Sequence, residues 1–463
     1  MFTKIILKNF KSFDNLSFDI STNKTAKNLV ILYGKNGSGK SNVMSSFVFL
    51  SELMMTMDVR DHYEAFLAHE DEYSKIADEK LSAILRQSFL DGLRSIKKII
   101  DDYKMLNSSG NMYAEYNFVI GDKPGKYIVE LDEEGIVEEQ LEFILKKRRG
   151  IYFKCSKGGL VLNNSIITDN DLVSSVRDGV RKYWGKHSLL AILLHERNDK
   201  SKRFAENNFS ENLNLVLDKF MSMSSSLLIG QRQWLGLSTK FPIVHEPLEG
   251  RISKKYETDL DKFAHIFARV FYYTNPQISN VYYKKTYANN NNAIDYELFE
   301  TKRIAGKNID ISFSRESTGN CKLLDFFCRF LNTTTGHVVV LDEADAGIHE
   351  VQFQNLLKEL QPYITGQLIM TAHNTLLMEL ENARSFVYII DDDGEQVKIR
   401  SISDYDKRTF KNNNIRNRYL SNQYGGLPNN QGVDFGLLLK ELNWLVCLLF
   451  NDKQGIDVDL GRF

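Results

Sequence analysis

The chain has 463 residues, of which 43% are hydrophobic and 26% are charged, and its formal net charge is -1. This balance is typical of folded globular proteins and excludes the disordered and fibrous classes. Because the overall charge is close to zero, it gives no argument for a nucleic-acid-binding protein, although local basic patches stay open.

The cysteines and the apolar segments exclude further features. The four cysteines form no CxxC pair and no Cys/His cluster with zinc spacing, so we expect neither structural zinc nor disulfides. Lysines interrupt the apolar N-terminal stretch, which argues against a secretory signal. No apolar run approaches the roughly 18 to 20 residues that span a bilayer. We therefore expect a cytoplasmic protein without membrane contact.

Four short apolar segments predict the strands of a sheet that is covered on both faces. They are residues 28–33, 337–342, 367–371 and 385–390. Helical patterns follow the first three, and Pro362 ends the second of them. Since strands and helices alternate at both ends of the chain, we expect an α/β core assembled from two halves that are distant in sequence.

A long insertion separates these halves. Residues 51–106 are charged and helical in pattern, residues 113–162 alternate apolar and polar positions as antiparallel strands do, and residues 171–271 are mostly helical. A hairpin is predicted over residues 278–303, with its turn at the asparagine run 289–292. No heptad pattern is sustained, so we expect no long coiled-coil arm.

The segment GKNGSGKS, which starts at Gly34, matches the phosphate-binding pattern GxxxxGK[ST]. It follows a predicted strand and opens a predicted helix, which is the context that confirms a P-loop. Its glycines allow backbone N–H groups to surround phosphate oxygens at a helix N-terminus. Lys40 is expected to bind the β and γ phosphates, and the Ser41 hydroxyl to bind Mg²⁺. The predicted ATP-binding residues of this loop are Gly34, Lys35, Asn36, Gly37, Ser38, Gly39, Lys40 and Ser41.

A second chemical signal ends the predicted strand 337–342. Two adjacent carboxylates, Asp342 and Glu343, lie where the carboxyl end of this strand reaches the sheet edge at which α/β folds bind ligands. Asp342 is expected to help hold Mg²⁺, and Glu343 to orient or deprotonate the attacking water. An apolar run that ends in Asp-Glu is often only a strand entering a turn, but the P-loop favours the functional interpretation.

The two motifs lie unusually far apart, since Asp342 comes 302 positions after Lys40. Simple P-loop folds hold these motifs much closer together. The spacing therefore indicates a head whose two lobes are separated by a large insertion.

Several motifs together resemble those of ABC and SMC ATPases. Residues 342–349 resemble a Walker B strand followed by a D-loop, residues 367–374 resemble the strand that ends in a switch histidine, and residues 314–320 resemble a divergent ABC signature. Residues 7–13 resemble the NF+SF opening of RecF-like heads. The resemblance implies an α/β fold of the ABC/SMC head type, with its P-loop and with a helical and β-hairpin insertion.

The resemblance also implies roles for individual residues. A signature of this type binds, from a second subunit, the γ-phosphate of ATP, and its residues here are Ser317, Thr318 and Gly319. Thr318 stands where glycine or serine is usual. Asp345 is expected at the junction between the subunits, His373 on the γ-phosphate, and Lys11 among the ATP-binding residues. No glutamine can be assigned to the Gln-loop.

These roles imply the cofactors ATP and Mg²⁺ and a partner that is a second copy of the chain. The expected assembly is a head-to-head dimer, with higher oligomers open. The resemblance further divides the chain into an N-terminal ATPase lobe (1–165, helical insert about 51–106), a mainly helical insertion (166–275), a C-terminal ATPase lobe (276–395) and a helical extension (396–463).

A narrower similarity concerns residues 385–394, 402–405 and 419–428. They resemble the AAA-family ATPases of bacterial defence and abortive-infection operons, which include the AriA subunit of the PARIS anti-phage system. This similarity implies a nucleotide-gated sensor or scaffold that controls a separate effector from the same operon, such as a nuclease. The carboxylates 391–393 are interpreted as part of a hairpin turn that includes Gly394, and not as a nuclease site.

The alternative hypothesis is a RecF-like DNA repair or recombination ATPase that acts directly on DNA. Basic clusters occur at residues 146–149, at 181–186 and at Lys284 and Lys285, where tyrosines are interleaved with the lysines. Such a mixture occurs on nucleic-acid-binding surfaces, and equally on a solvated strand face. Contact with nucleic acid therefore stays open.

Overall fold

The computed structural model of the 463-residue chain describes residues 1–58, 60–61, 95–227, 233–234, 242–244, 246–288, 292–392, 394, 396–405, 414–428, 436–440 and 442. The chain divides into two compact units, Met1–Gly426 and Leu427–Phe463. The elements described below belong to the first unit.

The strands β1 to β20 of the described residues are, in chain order, Phe2–Phe10, Phe13–Asp19, Ser21–Thr22, Thr25–Ala26, Leu29–Tyr33, Met112–Ile120, Lys123–Leu131, Ile136–Ile144, Arg149–Ser156, Gly159–Leu162, Ser224–Ser226, Gln233–Trp234, Glu249–Ser253, Ile278–Tyr287, Ala293–Ile304, Lys307–Ser312, Val338–Leu341, Gln367–Thr371, Val387–Asp392 and Val397–Ser401.

The helices α1 to α12 are, in the same order, Lys40–Met54, Ile96–Tyr103, Asn170–Tyr183, Leu189–Asp199, Lys202–Asn208, Glu211–Met221, Glu257–Thr274, Thr318–Thr333, Glu350–Leu360, Ala383–Phe386, Ile402–Tyr405 and Ile415–Leu420. Short 3₁₀ helices lie at Pro242–Val244, Lys254–Tyr256, Phe313–Arg315, Gln361–Tyr363 and Thr375–Glu379.

One seven-stranded sheet contains the four predicted buried strands, in the order β12-β11-β17-β18-β5-β19-β20. Its five inner strands are parallel, and the two outer strands pair antiparallel with their neighbours. Every residue of β5, β17 and β18 is buried, as their continuous apolar runs predict. The α/β prediction is therefore confirmed, and the carboxyl ends of these three strands meet at one edge.

A second seven-stranded sheet is antiparallel and has the order β10-β9-β8-β7-β6-β1-β2. It confirms the strands predicted from the alternating pattern over residues 113–162. Helix α1, which follows the P-loop, belongs to the same hydrophobic core, and the Phe47 ring lies 5.3 Å from the Phe2 ring of β1. The phosphate-binding segment is thus anchored to this sheet by apolar packing.

A third, smaller sheet contains the predicted hairpin as β14 and β15, with β13 and β16 also paired to β15. Residues 289–291 of its predicted turn lie outside the described residues. Helix α7 buries Leu260, Phe263, Phe267 and Phe271. The predicted helical insertion over residues 51–106 is described only at its two ends, by α1 and α2.

Four strands of the described residues lie in regions that were expected to be mainly helical. Three of them, β11, β12 and β13, fall within residues 171–271. The strand β11 pairs parallel with β17, and its sequence Ser-Ser-Ser carries no apolar signal. The strand β20 falls within the expected helical extension and pairs with β19. Asp391 and Asp392 thus end one arm of a hairpin, in agreement with the hairpin interpretation, whereas Asp393 lies outside the described residues.

The longest helix in the described part of the chain is α7, with 18 residues. The described residues therefore contain no long coiled coil, which agrees with the missing heptad pattern. Within the same residues, none of the helices combines the length and apolar character that a transmembrane helix needs.

Gln367, the first residue of β18, joins the two large sheets through its buried amide. Its Oε1 accepts from Phe2 N at 2.8 Å, and its Nε2 donates to Phe2 O and Lys27 O, both at 2.9 Å. Because the side chain is fully buried, water cannot replace these hydrogen bonds. The amide therefore couples the start of β1 to the parallel sheet.

We predict that Gln367→Leu lowers the free energy of unfolding by about 2 to 4 kcal/mol, since it leaves three buried backbone groups without partners. Gln140→Leu is the matched control, because that amide bonds only the half-buried Glu142 carboxylate, and its cost should be about 0.5 kcal/mol or less. Urea unfolding followed by circular dichroism measures both. Equal losses of unfolding free energy in the two variants would mean that the Gln367 amide does not couple β1 to the parallel sheet.

Candidate functional site

The P-loop connects β5 to α1 through two glycines in the left-handed region. Gly37 has φ 78°, and Gly39, the N-cap of α1, has φ 97°. A Cβ atom on Gly39 would lie 2.7 Å from the Phe13 ring. Residues with side chains rarely adopt these angles, and here the neighbouring ring leaves no space for one. The loop shape inferred from the sequence is therefore required by the fold.

The side chain of Lys40 lies across this loop. Its Nζ donates to the carbonyl oxygens of Gly34, at 2.7 Å, and Lys35, at 3.1 Å. Burial lowers the pKa of Lys40, and the nearby carboxylates Asp342 and Glu343 act in the opposite direction. The structure therefore brings the P-loop lysine and the two predicted carboxylates into one electrostatic environment.

Asp342 lies at the end of β17 and is almost fully buried. Its Oδ1 accepts a hydrogen bond from the Thr371 hydroxyl at 2.7 Å, whereas its Oδ2 is buried and has no hydrogen-bond partner among the described residues. An unpaired buried carboxylate oxygen is costly unless a cation or a donor satisfies it. Carboxylate and hydroxyl oxygens are the ligands that Mg²⁺ prefers, so Asp342 and Ser41 fit the predicted ion.

Glu343 has a positive φ of 50°, which is uncommon for a residue other than glycine. Its backbone N–H donates to the Thr371 hydroxyl at 2.7 Å. Its carboxylate Oε1 lies 3.8 Å from Nε2 of His373, so the predicted base and the predicted switch histidine are neighbours. Strained backbone of this kind persists where the surroundings hold it, often at functional sites.

Sequence reasoning missed Thr371, which organises both carboxylate residues. Its single hydroxyl donates to Asp342 and accepts from the Glu343 backbone, and the side chain is fully buried. The only signal was a polar residue at the end of an otherwise apolar strand, next to the switch histidine. The parallel register of β17 and β18 makes this contact available.

Asp345, the predicted D-loop residue, binds the backbone of the switch loop within its own chain. Its Oδ2 accepts from His373 N at 2.9 Å and from Asn374 N at 2.5 Å, and its Oδ1 is buried with no hydrogen-bond partner in the part of the chain that the structure describes. These bonds hold the loop after β18 against the loop after β17. Its predicted place at a subunit junction stays a prediction.

The signature residues open helix α8. Ser317 is the N-cap, and its Oγ accepts from Asn320 N at 3.3 Å. A Cβ on Gly319 would lie 3.0 Å from Gly347 O of the D-loop, so the signature packs closely on that loop. Ser317 and Thr318 are exposed, and none of the described residues 317–319 is hydrogen bonded to residues 34–41.

A buried charge cluster contacts the signature residues at the start of α8. The Glu316 carboxylate accepts from Ser317 N at 2.8 Å and from the Asn320 amide at 2.7 Å, and it pairs with Lys302. Burial and the neighbouring Glu316 raise the pKa of Glu300 to about 8. The contacts of Glu316 with Glu300 and Lys302 were not expected from the sequence, because they join two separate segments, β15 and the start of α8.

Lys11 lies in the turn between β1 and β2 and contacts helix α2. Its backbone N–H donates to Tyr103 O at 2.7 Å, and its ammonium lies 5.1 Å from the centre of the Tyr103 ring. The adjacent Ser12 accepts from the Asn42 amide of α1 at 2.8 Å. The turn is thus attached to the P-loop helix, whereas the predicted contact of Lys11 with ATP stays a prediction.

The strand β11 borders the site on its other side, because Ser226 O accepts from Asp342 N at 2.9 Å. A pocket of about 370 Å³ opens there, lined by the Walker B carboxylates and by Lys322, Asp325 and Arg329 of α8. Residues 228–232, which follow β11, lie outside the described residues. The Gln-loop contact is therefore still unassigned.

The lysine and tyrosine cluster near residue 285 has structural partners. Lys285 pairs with Asp261 at 2.8 Å, and the Tyr287 hydroxyl donates to Glu257 at 2.6 Å. Tyr283 is buried and donates to Pro247 O. The contacts of Lys285 and Tyr287 pack β14 on α7, whereas Lys284 is exposed; contact with nucleic acid stays open.

Comparison with protein families gives two matches. A family model described as "AAA domain, putative AbiEii toxin, Type IV TA system" matches residues 29–379, and a second model, described as an AAA domain, matches residues 4–52. The larger match includes the P-loop, the signature, both carboxylates and the switch histidine. No curated protein matches the sequence.

Solved structures with similar folds include two SMC heads and a RecF. The SMC head domain from Thermotoga maritima is 16% identical, with 86% of this chain and 98% of that chain covered and a TM-score of 0.39. The Smc head from Pyrococcus furiosus, bound to the C-terminal domain of ScpA, is 13% identical, with 86% and 96% covered and a TM-score of 0.39. The recombination mediator RecF is 10% identical, with 87% and 98% covered and a TM-score of 0.37. At such low sequence identities and TM-scores, the functions of these proteins cannot be assigned to this chain.

We predict that Thr371→Val lowers the rate of ATP hydrolysis about 10- to 100-fold, because both carboxylate residues lose the hydroxyl that positions them. Thr371→Ser keeps that hydroxyl and should retain most of the activity. Phosphate release at saturating ATP measures the effect, and melting temperatures verify folding. A folded valine variant with the wild-type rate would exclude the positioning role.

Proposed function

The chain belongs to the AAA domain family whose model matches residues 29–379 and is an ATPase; from this premise we propose that two copies bind two ATP molecules at a shared interface. We propose further that this nucleotide-gated dimer acts in bacterial anti-phage defence and controls a separate effector. The observation that carries the first proposal is the edge of the parallel sheet, where Lys40, Asp342, Glu343 and His373 converge beside an exposed signature.

Nucleotide binding follows from the P-loop geometry. The backbone N–H groups of residues 34–41 and the N-terminus of α1 bind the phosphates, and Lys40 exchanges its carbonyl partners for β and γ phosphate oxygens. Ser41 and the buried oxygen of Asp342 hold Mg²⁺. When bound, this ion neutralises charge on the phosphates and so favours attack on the γ-phosphorus.

Hydrolysis uses the residues that Thr371 aligns. Glu343 accepts a proton from the attacking water, the water oxygen bonds to the γ-phosphorus, and the bond from that phosphorus to the bridging oxygen of ADP breaks. His373, 3.8 Å from the Glu343 carboxylate, donates a hydrogen bond to the γ-phosphate. Asp345 positions His373 by accepting a hydrogen bond from its backbone N–H. A movement of His373 on loss of the γ-phosphate is therefore transmitted through Asp345 to the D-loop.

The second copy completes each site. Ser317 and Thr318 are exposed at the N-terminus of α8, where free N–H groups and hydroxyls favour an anion. Within the part of the chain that the structure describes, these residues bond Asn320 and Glu316 and not the P-loop. An exposed, preformed phosphate-binding helix start supports the proposal that the ligand is ATP held by a partner.

The defence role rests on different support. The matching family carries the name of an abortive-infection toxin of type IV toxin–antitoxin systems, and the narrower sequence similarity includes the AriA subunit of PARIS. The Asp391 carboxylate accepts from Gly426 N at 3.2 Å, which is a structural role and not that of a nuclease site. The effector is therefore proposed to be another protein, and ATP binding and hydrolysis by this chain act as a switch for it.

We predict that Glu343→Gln binds ATP but releases phosphate at least about 100-fold more slowly, because an amide cannot accept the proton of the attacking water. This variant should accumulate as a nucleotide-bound dimer, measured by light scattering with ATP and Mg²⁺. Lys40→Ala is the control and should bind no ATP and stay monomeric.

Comparable phosphate release from the wild type and Glu343→Gln would mean that Glu343 has another role. A Glu343→Gln chain that binds ATP and stays monomeric would exclude the shared interface.

We predict that the tagged chain, expressed from its native operon, retains a neighbouring gene product in a nucleotide-dependent way. Retention should differ between Lys40→Ala and Glu343→Gln, because the two variants hold opposite nucleotide states. A chain that retains no neighbour in either state would contradict the effector proposal. Binding of gapped or duplex DNA that weakens steeply with salt would instead support the alternative, direct action on DNA.

A further inference from the structure

The segment Ile415–Gly426, which we name the C-terminal strap, packs beside the candidate nucleotide site. It consists of α12 and the turn that follows it. The ring of Tyr419 lies 5.9 Å from that of Tyr33, the last residue before the P-loop. Arg416 Nε donates to Thr375 Oγ1 at 3.0 Å, just after the switch histidine. The strap therefore contacts both segments that face the phosphates.

Two glycines end the strap in a turn that no other residue type fits. Gly425 has φ 74° and Gly426 has φ 76°. A Cβ on Gly426 would lie 2.7 Å from Ile389 Cγ2 and 3.5 Å from Gly34 Cα. A Cβ on Gly425 would lie 2.7 Å from the Asp391 carboxylate, whose Oδ1 accepts from Gly426 N. A side chain at residue 426 would thus contact both β19 and the first P-loop residue.

Gly34 is enclosed from a second direction. A Cβ on Gly34 would lie 2.6 Å from Ile390 O and 2.9 Å from Ser38 Oγ. The next residue, Lys35, donates from Nζ to Asp392 O at 2.8 Å. Ile390 therefore adjoins both glycines: its carbonyl oxygen would lie 2.6 Å from a Cβ on Gly34 and 3.2 Å from a Cβ on Gly426, and its Cγ2 atom also borders the Gly34 position. A side chain at residue 426 would therefore push against the end of β19 and against the entrance of the P-loop.

We propose that the Gly425–Gly426 turn is a positioning element for the P-loop. It presses the entrance of the loop against the end of β19 and so holds the N–H groups in the arrangement that binds phosphate. Hydrogen bonds to charged groups such as phosphate weaken when the donors are misplaced, so a shifted loop entrance lowers the affinity for the nucleotide. This inference rests on the proposed role of residues 34–41 in binding ATP, and it deepens that role by adding a distant part of the chain.

The test is Gly426→Ala in the full chain, compared with Gly394→Ala. Gly394 also has a positive φ, 88°, but among the described residues, its chain neighbours aside, no atom lies within 4 Å of its Cβ position. Both variants suffer backbone strain, and only Gly426→Ala places a Cβ atom against Ile389, Ile390 and Gly34. We expect Gly426→Ala to raise the dissociation constant of a fluorescent ATP analogue about tenfold or more, with kcat at saturating ATP within about twofold. Gly394→Ala should bind with the wild-type constant.

Binding by Gly426→Ala within about twofold of the wild type would overturn the proposal, as would an equal loss in Gly394→Ala. If Gly426→Ala does not fold, Asp391→Ala is tested in its place, since it removes the acceptor of Gly426 N without adding an atom. Weaker binding of the analogue by Asp391→Ala supports the proposal, and unchanged binding overturns it. A wild type that binds the analogue no better than Lys40→Ala would refute the proposed function itself, which separates the two failures.

Discussion

The parallel register of β5, β18 and β17 is the constraint on which the rest of the site depends. It joins strands from distant parts of the chain and places their carboxyl ends at one edge. The buried hydroxyl of Thr371 can then bond both Asp342 and the Glu343 backbone. A shift of one residue between β17 and β18 would turn this hydroxyl to the opposite face. The chemistry therefore follows from strand pairing.

The phosphate-binding loop is enclosed by the two ends of the first unit. Phe13, from the start of the chain, closes on Gly39, and the strap near residue 426 closes on Gly34. Asp345 joins the D-loop to the switch loop in the same way. The P-loop, the D-loop and the switch loop are thus each held against a neighbouring segment by packing or by hydrogen bonds.

Much of the fold could be predicted, because apolar runs such as β5 and β18 and the alternating segment over residues 113–162 have clear physical signatures. The strand β11 could not, since its serines lack any hydrophobic pattern. Motifs located the P-loop and the Walker B carboxylates, which local sequence determines. The Thr371 bonds, the Glu316 cluster and the packing of Gly426 depend on tertiary contacts between distant segments, which one sequence does not reveal.

The most direct test of the shared nucleotide site is disulfide cross-linking between copies, with Asn36→Cys in one chain and Thr318→Cys in another. The account predicts a cross-linked dimer that forms only when both chains are mixed with ATP and Mg²⁺. Each of the two variants on its own, and the mixture of both without nucleotide, should form no cross-linked dimer. Failure to cross-link in a mixture shown to bind ATP, or efficient cross-linking within one chain that carries both cysteines as a monomer, would contradict the claim.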